Sequence, residues 1–165
     1  MHTRKLLVLA AVLSLSPPCL RAQGSVGINL FRGVVTLSGV LCGFTCNSTG
    51  QATALVGDTI GIRLLGQDQW PGAVMIGAGP AVPCPGLPVP GIGNTLLVDL
   101  NTLLVLATSG SITGAARGNC GETANQVMVT LTLPRLPVGT MVHFQGLVYD
   151  NFQPAFTRAI ELTIN

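Results

Sequence analysis

The chain has 165 residues, of which 48% are hydrophobic and only 8% are charged. This composition excludes an intrinsically disordered chain, which combines few aliphatic residues with high charge. Eight basic and six acidic residues give a formal charge of +2. These few, scattered cations exclude the basic patch that a nucleic-acid-binding surface needs to neutralise phosphates.

The first 22 residues have the layout of a secretory signal peptide. Arg4 and Lys5 precede an apolar run of about ten residues, and Ala22 provides a small residue for cleavage. A membrane-spanning helix needs roughly twenty apolar residues, so we expect no transmembrane anchor in the mature form. A lipoprotein signal with a lipidated Cys19 is the alternative, although the residues just before Cys19 fit it poorly.

Residues 23–165 are predicted to form a single exported domain. The leader holds three of the eight basic residues and none of the acidic ones, so five arginines remain against six carboxylates, a net charge of about −1. A chain of this length can bury a substantial core as one domain. We expect no nucleic-acid partner, which leaves a cell-surface polymer or another protein as the candidate partner.

Short aliphatic and β-branched runs, separated by Gly, Pro and Asn, dominate this domain. Residues 59–64, 126–133 and 159–164 alternate apolar and polar side chains, which is typical of antiparallel strands with one buried face. Regular short strands with turns between them indicate a sandwich or barrel. The predicted strands are 25–31, 34–40, 59–65, 73–76, 95–98, 102–107, 126–133, 140–149 and 157–164.

Residues 136–140 precede the long apolar strand 140–149 and resemble the corner that enters the penultimate strand of immunoglobulin-like and fibronectin-type modules. The tyrosine often found at that corner is missing here, because Met141 and Val142 follow. The fold prediction is therefore all-β: an antiparallel, immunoglobulin/fibronectin-like β-sandwich of seven to nine strands. The terminal strand 157–164 is the segment expected to pair with another chain if its edge is uncovered.

Residues 95–107 permit two interpretations. Asn-Thr-Leu-Leu-Val occurs at residues 94–98 and again at 101–105, and its leucines would also form the apolar stripe of a short helix. A hairpin that turns at Asp99-Leu100-Asn101 is favoured, because Asp and Asn suit turns.

Four cysteines follow the leader: Cys42, Cys46, Cys84 and Cys120. An even number in an exported chain predicts two structural disulfides, with three possible pairings. Cys42–Cys46 and Cys84–Cys120 is the favoured pairing, which would join the Pro- and Gly-rich loop 81–93 to the loop 109–125. A metal site at these cysteines is the weaker alternative, because no histidine is near them in the sequence.

Four segments of the C-terminal half carry a family resemblance: residues 85–88, 95–99, 142–150 and 159–164. On these segments, residues 51–165 resemble a recurring, uncharacterised module of exported proteins from planctomycete-type bacteria. The resemblance implies a β-sandwich at or beyond the cell surface. It implies no activity and no functional residues.

His143 is the only histidine after the leader and lies in the middle of a predicted strand. A catalytic histidine needs a nucleophile and an orienting carboxylate near it, and no nucleophile motif occurs in the sequence. A surface or cross-strand position is favoured over a small hydrolase that uses His143. No catalytic residue, cofactor or metal is expected.

Trp70 is the only tryptophan and follows Gln67-Asp68-Gln69. Asp68 and Trp70 therefore define the best candidate for an exposed polar and aromatic ligand loop. A carbohydrate-binding module that uses this loop is the first alternative to the leading hypothesis, which is a non-catalytic exported β-sandwich with a structural, cell-surface or adhesion role. A hydrolase is the second alternative.

Overall fold

A computed structural model describes residues 26–43, 46, 49–66, 70–111, 114–115, 120, 125–150 and 152–165. These residues form an all-β fold without helices, which confirms the predicted class. None of them belongs to a long apolar helix that could cross a bilayer. The strands are β1 Gly27–Arg32, β2 Val35–Thr36, β3 Leu41–Cys42, β4 Gly50–Ala54, β5 Thr59–Gly66, β6 Pro71–Ala78, β7 Leu87–Pro88, β8 Thr95–Leu96, β9 Leu104–Ser111, β10 Gly114–Ala115, β11 Asn125–Thr132, β12 Met141–Asp150 and β13 Gln153–Ile164.

Two sheets contain most of these strands. The first has the order β10-β11-β5-β1-β2, with β3 also paired to β1, and the second has the order β4-β13-β12-β6-β9. All pairs in both sheets are antiparallel except β4 with β13, which is parallel. β7 and β8 form a separate two-stranded sheet.

Five of the thirteen strands have only two residues. The predicted strands 34–40 and 95–98 contain β2 and β8, whereas β3, β4, β7 and β10 were not predicted. The immunoglobulin or fibronectin type of the sandwich stays a prediction.

The main core lies between the two sheets. Ile60, Ile62 and Leu64 of β5 are completely buried, as the alternation of residues 59–64 predicted. They share one packed cluster with Phe144 of β12 and Ile160 of β13. Burial of this apolar area from both sheets is the main stabilising contribution to such a fold.

The two disulfides join Cys42 to Cys120 and Cys46 to Cys84. The predicted number of disulfides is present, but the favoured pairing was wrong. Gly43 lies between the first two cysteines with a φ of 85°, a left-handed conformation that glycine adopts readily. Cys42 lies on β3 of the first sheet, whereas Cys46 is bonded to the segment that holds Cys84.

The hairpin predicted for residues 95–107 is absent, and so is the short helix. β8 pairs with β7, whereas β9 pairs with β6 of the second sheet. The predicted turn itself is present: the Asp99 carboxylate accepts a hydrogen bond from the Asn101 amide at 2.9 Å, and the Asp99 carbonyl accepts one from Thr102 at 3.0 Å. The turn thus connects two different sheets.

The C-terminal strand is not an edge. β13 lies between β12 and β4 in the second sheet, and residues 160–164 have β4 as a neighbour on the side opposite β12. The condition for intermolecular pairing, an uncovered edge, is therefore not met where β4 adds to β13 in parallel.

Candidate functional site

The outer face of the second sheet carries polar side chains that are buried. Val142 and Phe144 of β12 point into the main core, so His143 and Gln145 point to the opposite face. Neither is exposed to solvent. The polar atoms of these side chains therefore need hydrogen-bond partners within the protein.

A third layer covers this face. Residues 79–103, which we call the strap, contain β7 and β8. They include the loop predicted at 81–93, in which only Leu87 and Pro88 of β7 belong to a strand. Between the strap and the second sheet lies a second apolar cluster. The strap contributes Leu96 and Val98 to it, and the sheet contributes Met75 and Phe156. The prolines and glycines of the strap prevent continuous sheet pairing, so side chains of the second sheet bind its backbone instead.

Gln145 makes the most extensive of these contacts. Its Oε1 accepts a hydrogen bond from the Leu97 amide at 2.8 Å. Its Nε2 donates to the Thr95 carbonyl at 2.9 Å and to the Thr157 carbonyl at 2.8 Å. Both amide hydrogens are thus used, and one side chain joins the strap to β12 and β13.

His143 also binds the strap. Its Nδ1 lies 2.9 Å from the Gly79 carbonyl oxygen, and because a carbonyl only accepts, Nδ1 carries the hydrogen. Its Nε2 is buried without a hydrogen-bond partner, close to Gly77, where a Cβ would collide with the ring. Within the described part of the chain, neither a serine nor a carboxylate hydrogen-bonds to His143. Of the predicted surface or cross-strand position, the surface part was wrong, since the ring is buried, whereas His143 does pair across strands with Glu161 of β13 and Gly77 of β6.

Glu161 and Asn94 complete the attachment. The Glu161 carboxylate accepts hydrogen bonds from the Ala81 amide at 2.9 Å and from the Gln51 side chain at 2.6 Å. Asn94 belongs to the strap, has a φ of 62°, and donates to the Phe156 carbonyl at 2.7 Å. Glu161 and Asn94 thus each bind a backbone group across the contact between the strap and β13.

Trp70, Tyr149 and Phe152 form an exposed group that we call the aromatic cluster. The ring centroids of Trp70 and Tyr149 are 4.5 Å apart with a tilt of 31°, and those of Trp70 and Phe152 are 5.9 Å apart in an edge-to-face arrangement. Trp70 and Tyr149 are half-buried, whereas Phe152 is 71% exposed. Both centroid distances lie within the range in which contacts between aromatic rings are stabilising.

The aromatic cluster lies where β12 turns into β13. Phe152 occupies this turn with a φ of 65°, which is uncommon for a large side chain. Tyr149 pairs with Pro154 across the hairpin, and Trp70 directly precedes β6, the neighbour of β12. The hairpin therefore presents one aromatic ring to solvent and supports it with two others.

Trp70 was predicted from the sequence as a ligand-loop residue, but Tyr149 and Phe152 were not predicted as its neighbours. The signal was available, because Asp150-Asn151 is a turn sequence that would place Tyr149 and Phe152 at one hairpin end. Asp68, the other residue of the predicted ligand loop, lies outside the described residues. No group of three His, Cys, Asp or Glu residues that could hold a metal ion occurs within the described ranges.

Comparison with family models, curated proteins and solved structures found no match to this chain. The resemblance of residues 51–165 to an exported bacterial module accordingly stays a prediction. The site itself must carry any functional conclusion.

Proposed function

We propose that this chain is an exported β-sandwich of the planctomycete-type bacterial module, without catalytic activity and with a structural, cell-surface or adhesion role. The observation that carries this proposal is the use of His143, Gln145 and Glu161 to hold the strap. A catalytic group must contact substrate or another reacting group, whereas these three bind backbone atoms beneath a covering layer.

The compartment is supported by the disulfides. Two disulfides indicate an oxidising, extracellular environment, which agrees with export directed by residues 1–22. N-terminal sequencing of protein secreted from the full-length chain tests the export step. We expect the mature chain to begin at Gln23, and recovery of uncleaved protein inside the cell would contradict the proposal.

The absence of catalysis has its own test. The mature protein and a His143→Gln variant are assayed on chromogenic esters, peptides and glycosides, with circular dichroism as a check on folding. We expect no turnover by either protein. The non-catalytic proposal would be contradicted if the wild type hydrolysed a substrate and a folded His143→Gln variant did not.

A second candidate function is carbohydrate binding, and the aromatic cluster favours it. Exposed aromatic rings offer an apolar face on which a sugar ring can stack, while hydroxyls at its rim reach polar neighbours. Trp70 and Tyr149 hold the exposed Phe152 ring in place, so the stacking surface is organised before a ligand arrives. Preorganisation lowers the entropic cost of binding.

Glycan-array binding of the wild type and the variants Trp70→Ala, Phe152→Ala and Met128→Ala tests this candidate. Met128 is the matched control, because it is also exposed and apolar but lies on β11 of the other sheet. We expect a glycan signal that both cluster variants reduce at least about tenfold and that Met128→Ala retains. No signal with the wild type, or equal signals with all variants, would exclude the cluster as a sugar site.

A further inference from the structure

The two disulfides lie in different environments. Cys120 is only 2% exposed and packs with Leu65, Val40 and Cys42 on the first sheet. Cys46 and Cys84 are both exposed. A thiolate must reach a sulfur atom to break a disulfide, so accessibility separates stable from exchangeable bonds.

We propose that the Cys46–Cys84 disulfide, which we call the clasp, is a site of thiol–disulfide exchange with small thiols, whereas Cys42–Cys120 is a permanent bond. The clasp joins the strap to the segment between β3 and β4. On the Cys84 side, its neighbours Pro83, Pro85 and Leu87 are exposed as well, so an incoming thiol can reach Cys84 from there.

The exchange is chemically balanced. A small thiolate attacks one sulfur of the clasp and forms a mixed disulfide, while the electron pair of the broken bond leaves on the other cysteine, which takes up a proton. A second small thiolate then attacks the small-thiol sulfur of the mixed disulfide and displaces the remaining protein cysteine, which takes up a proton. The products are two protein thiols and one disulfide of the small thiol, which supplies both electrons.

Opening the clasp should loosen the strap only locally. Ala81 remains bound to Glu161, and Leu97 remains bound to Gln145, on either side of Cys84. These hydrogen bonds do not depend on sulfur. The residues around Cys84 are thus released reversibly while the second apolar cluster stays covered, and this reaction is independent of any ligand at the aromatic cluster.

Native protein is incubated with reduced glutathione, quenched with acid, alkylated and digested. Trypsin places Cys84 and Cys120 on different peptides, and chymotryptic cleavage after Phe44 separates Cys42 from Cys46. We expect alkylation at Cys46 and Cys84 at least about tenfold faster than at the other two cysteines. Equal rates at all four, or faster alkylation of Cys42 and Cys120, would overturn the proposal.

The double variant Cys46→Ser/Cys84→Ser is the control. It should retain the slow reaction of Cys42 and Cys120 and lack the fast one. A fast reaction that persists in this variant would show that accessibility does not distinguish the bonds. Should the variant fail to fold, the order of alkylation in the wild type still decides the matter.

Discussion

At the scale of single residues, attachment of the strap depends on buried side chains whose hydrogen bonds and packing leave them a single arrangement. Gln145 satisfies three backbone groups at once, and a buried donor or acceptor that loses its partner costs more than the original hydrogen bond contributed. His143 faces a glycine because no side chain fits there. The sequence placed His143 in a predicted strand, but it could not show that a covering segment would bury it together with Gln145.

Replacing Gln145 with Met, which has a similar volume, should lower the free energy of unfolding by about 3 kcal/mol, because backbone groups of the strap and β13 lose their partner. Urea denaturation measures the change. Gln153→Met is the control, since Gln153 is exposed at the start of β13, and it should stay within about 0.5 kcal/mol of the wild type. Equal stability of the two variants would contradict the role assigned to Gln145.

Replacing Gly77 with Ala should destabilise the fold by about 1–3 kcal/mol, because the added methyl group meets the His143 ring and Val98 in a packed site. The control is Gly39→Ala, where a Cβ meets nothing within 4 Å. Thermal unfolding compares the two variants. A Gly77→Ala protein as stable as Gly39→Ala would show that the His143 site is looser than described.

At the scale of elements, short turns and single anchors fix segments that have little regular pairing. Asn94 binds the strap to β13 in a left-handed conformation, and Asp58 organises the turn before β5. The Asp58 carboxylate accepts a hydrogen bond from the Leu55 amide at 2.8 Å and pairs with Arg32 at 3.1 Å. Variants at Asn94 can therefore separate its backbone conformation from its hydrogen bond, and variants at Asp58 can separate its charge from its hydrogen bonds.

Asn94→Gly and Asn94→Ala should differ in stability. Both lose the hydrogen bond to the Phe156 carbonyl, but glycine tolerates a positive φ, whereas alanine is strained there by about 1–2 kcal/mol. Chemical denaturation should therefore rank the wild type above Asn94→Gly and Asn94→Gly above Asn94→Ala. An alanine variant at least as stable as the glycine variant would contradict the left-handed conformation.

The turn at Asp58 should make stability depend on acidity. The hydrogen bond from the Leu55 amide, with a smaller contribution from Arg32, lowers the pKa of Asp58 from its ordinary value of 3.8. A carboxylate whose pKa is lowered by folding stabilises the protein above its unfolded pKa, and this contribution is lost as the pH falls through the folded pKa.

An Asp58→Asn variant isolates this contribution, because it keeps a side-chain acceptor without the charge. The stability difference between wild type and variant should be larger at about pH 7 than at about pH 3, because the contribution is lost as the pH falls below the ordinary pKa of 3.8 and through the lower folded pKa. Urea denaturation at both pH values measures it. A difference that does not change with pH would exclude the charged form as the stabilising one.

At the scale of the whole molecule, the sequence predicted the layers better than the connections. Alternation in residues 59–64 identified a strand whose inward side chains are fully buried, because period-two patterning reports directly on a half-buried sheet. The disulfide pairing could not be read in this way, since it depends on which loops meet in space. Cys46 and Cys84 meet only because the strap folds back over the second sheet.

The candidate site was predictable to a similar extent. Trp70 was recognisable as the only tryptophan of the chain. Its contacts with Tyr149 and Phe152 could not be predicted, because they depend on the pairing of β12 with both β6 and β13. Long-range pairing of this kind is set by the entire sheet order and by packing between sheets. Local sequence therefore identifies a candidate ring, and the fold decides whether it stands alone or in a cluster.

Hydrogen–deuterium exchange of the strap amides tests the central claim, that polar side chains of the second sheet hold a covering layer on its outer face. The amides of Ala81 and Leu97 should exchange slowly in the wild type, since Glu161 and Gln145 bind them. In Gln145→Met, protection should fall at Leu97 more than at Ala81. Exchange of both wild-type amides at the rate of an unstructured peptide would contradict the account.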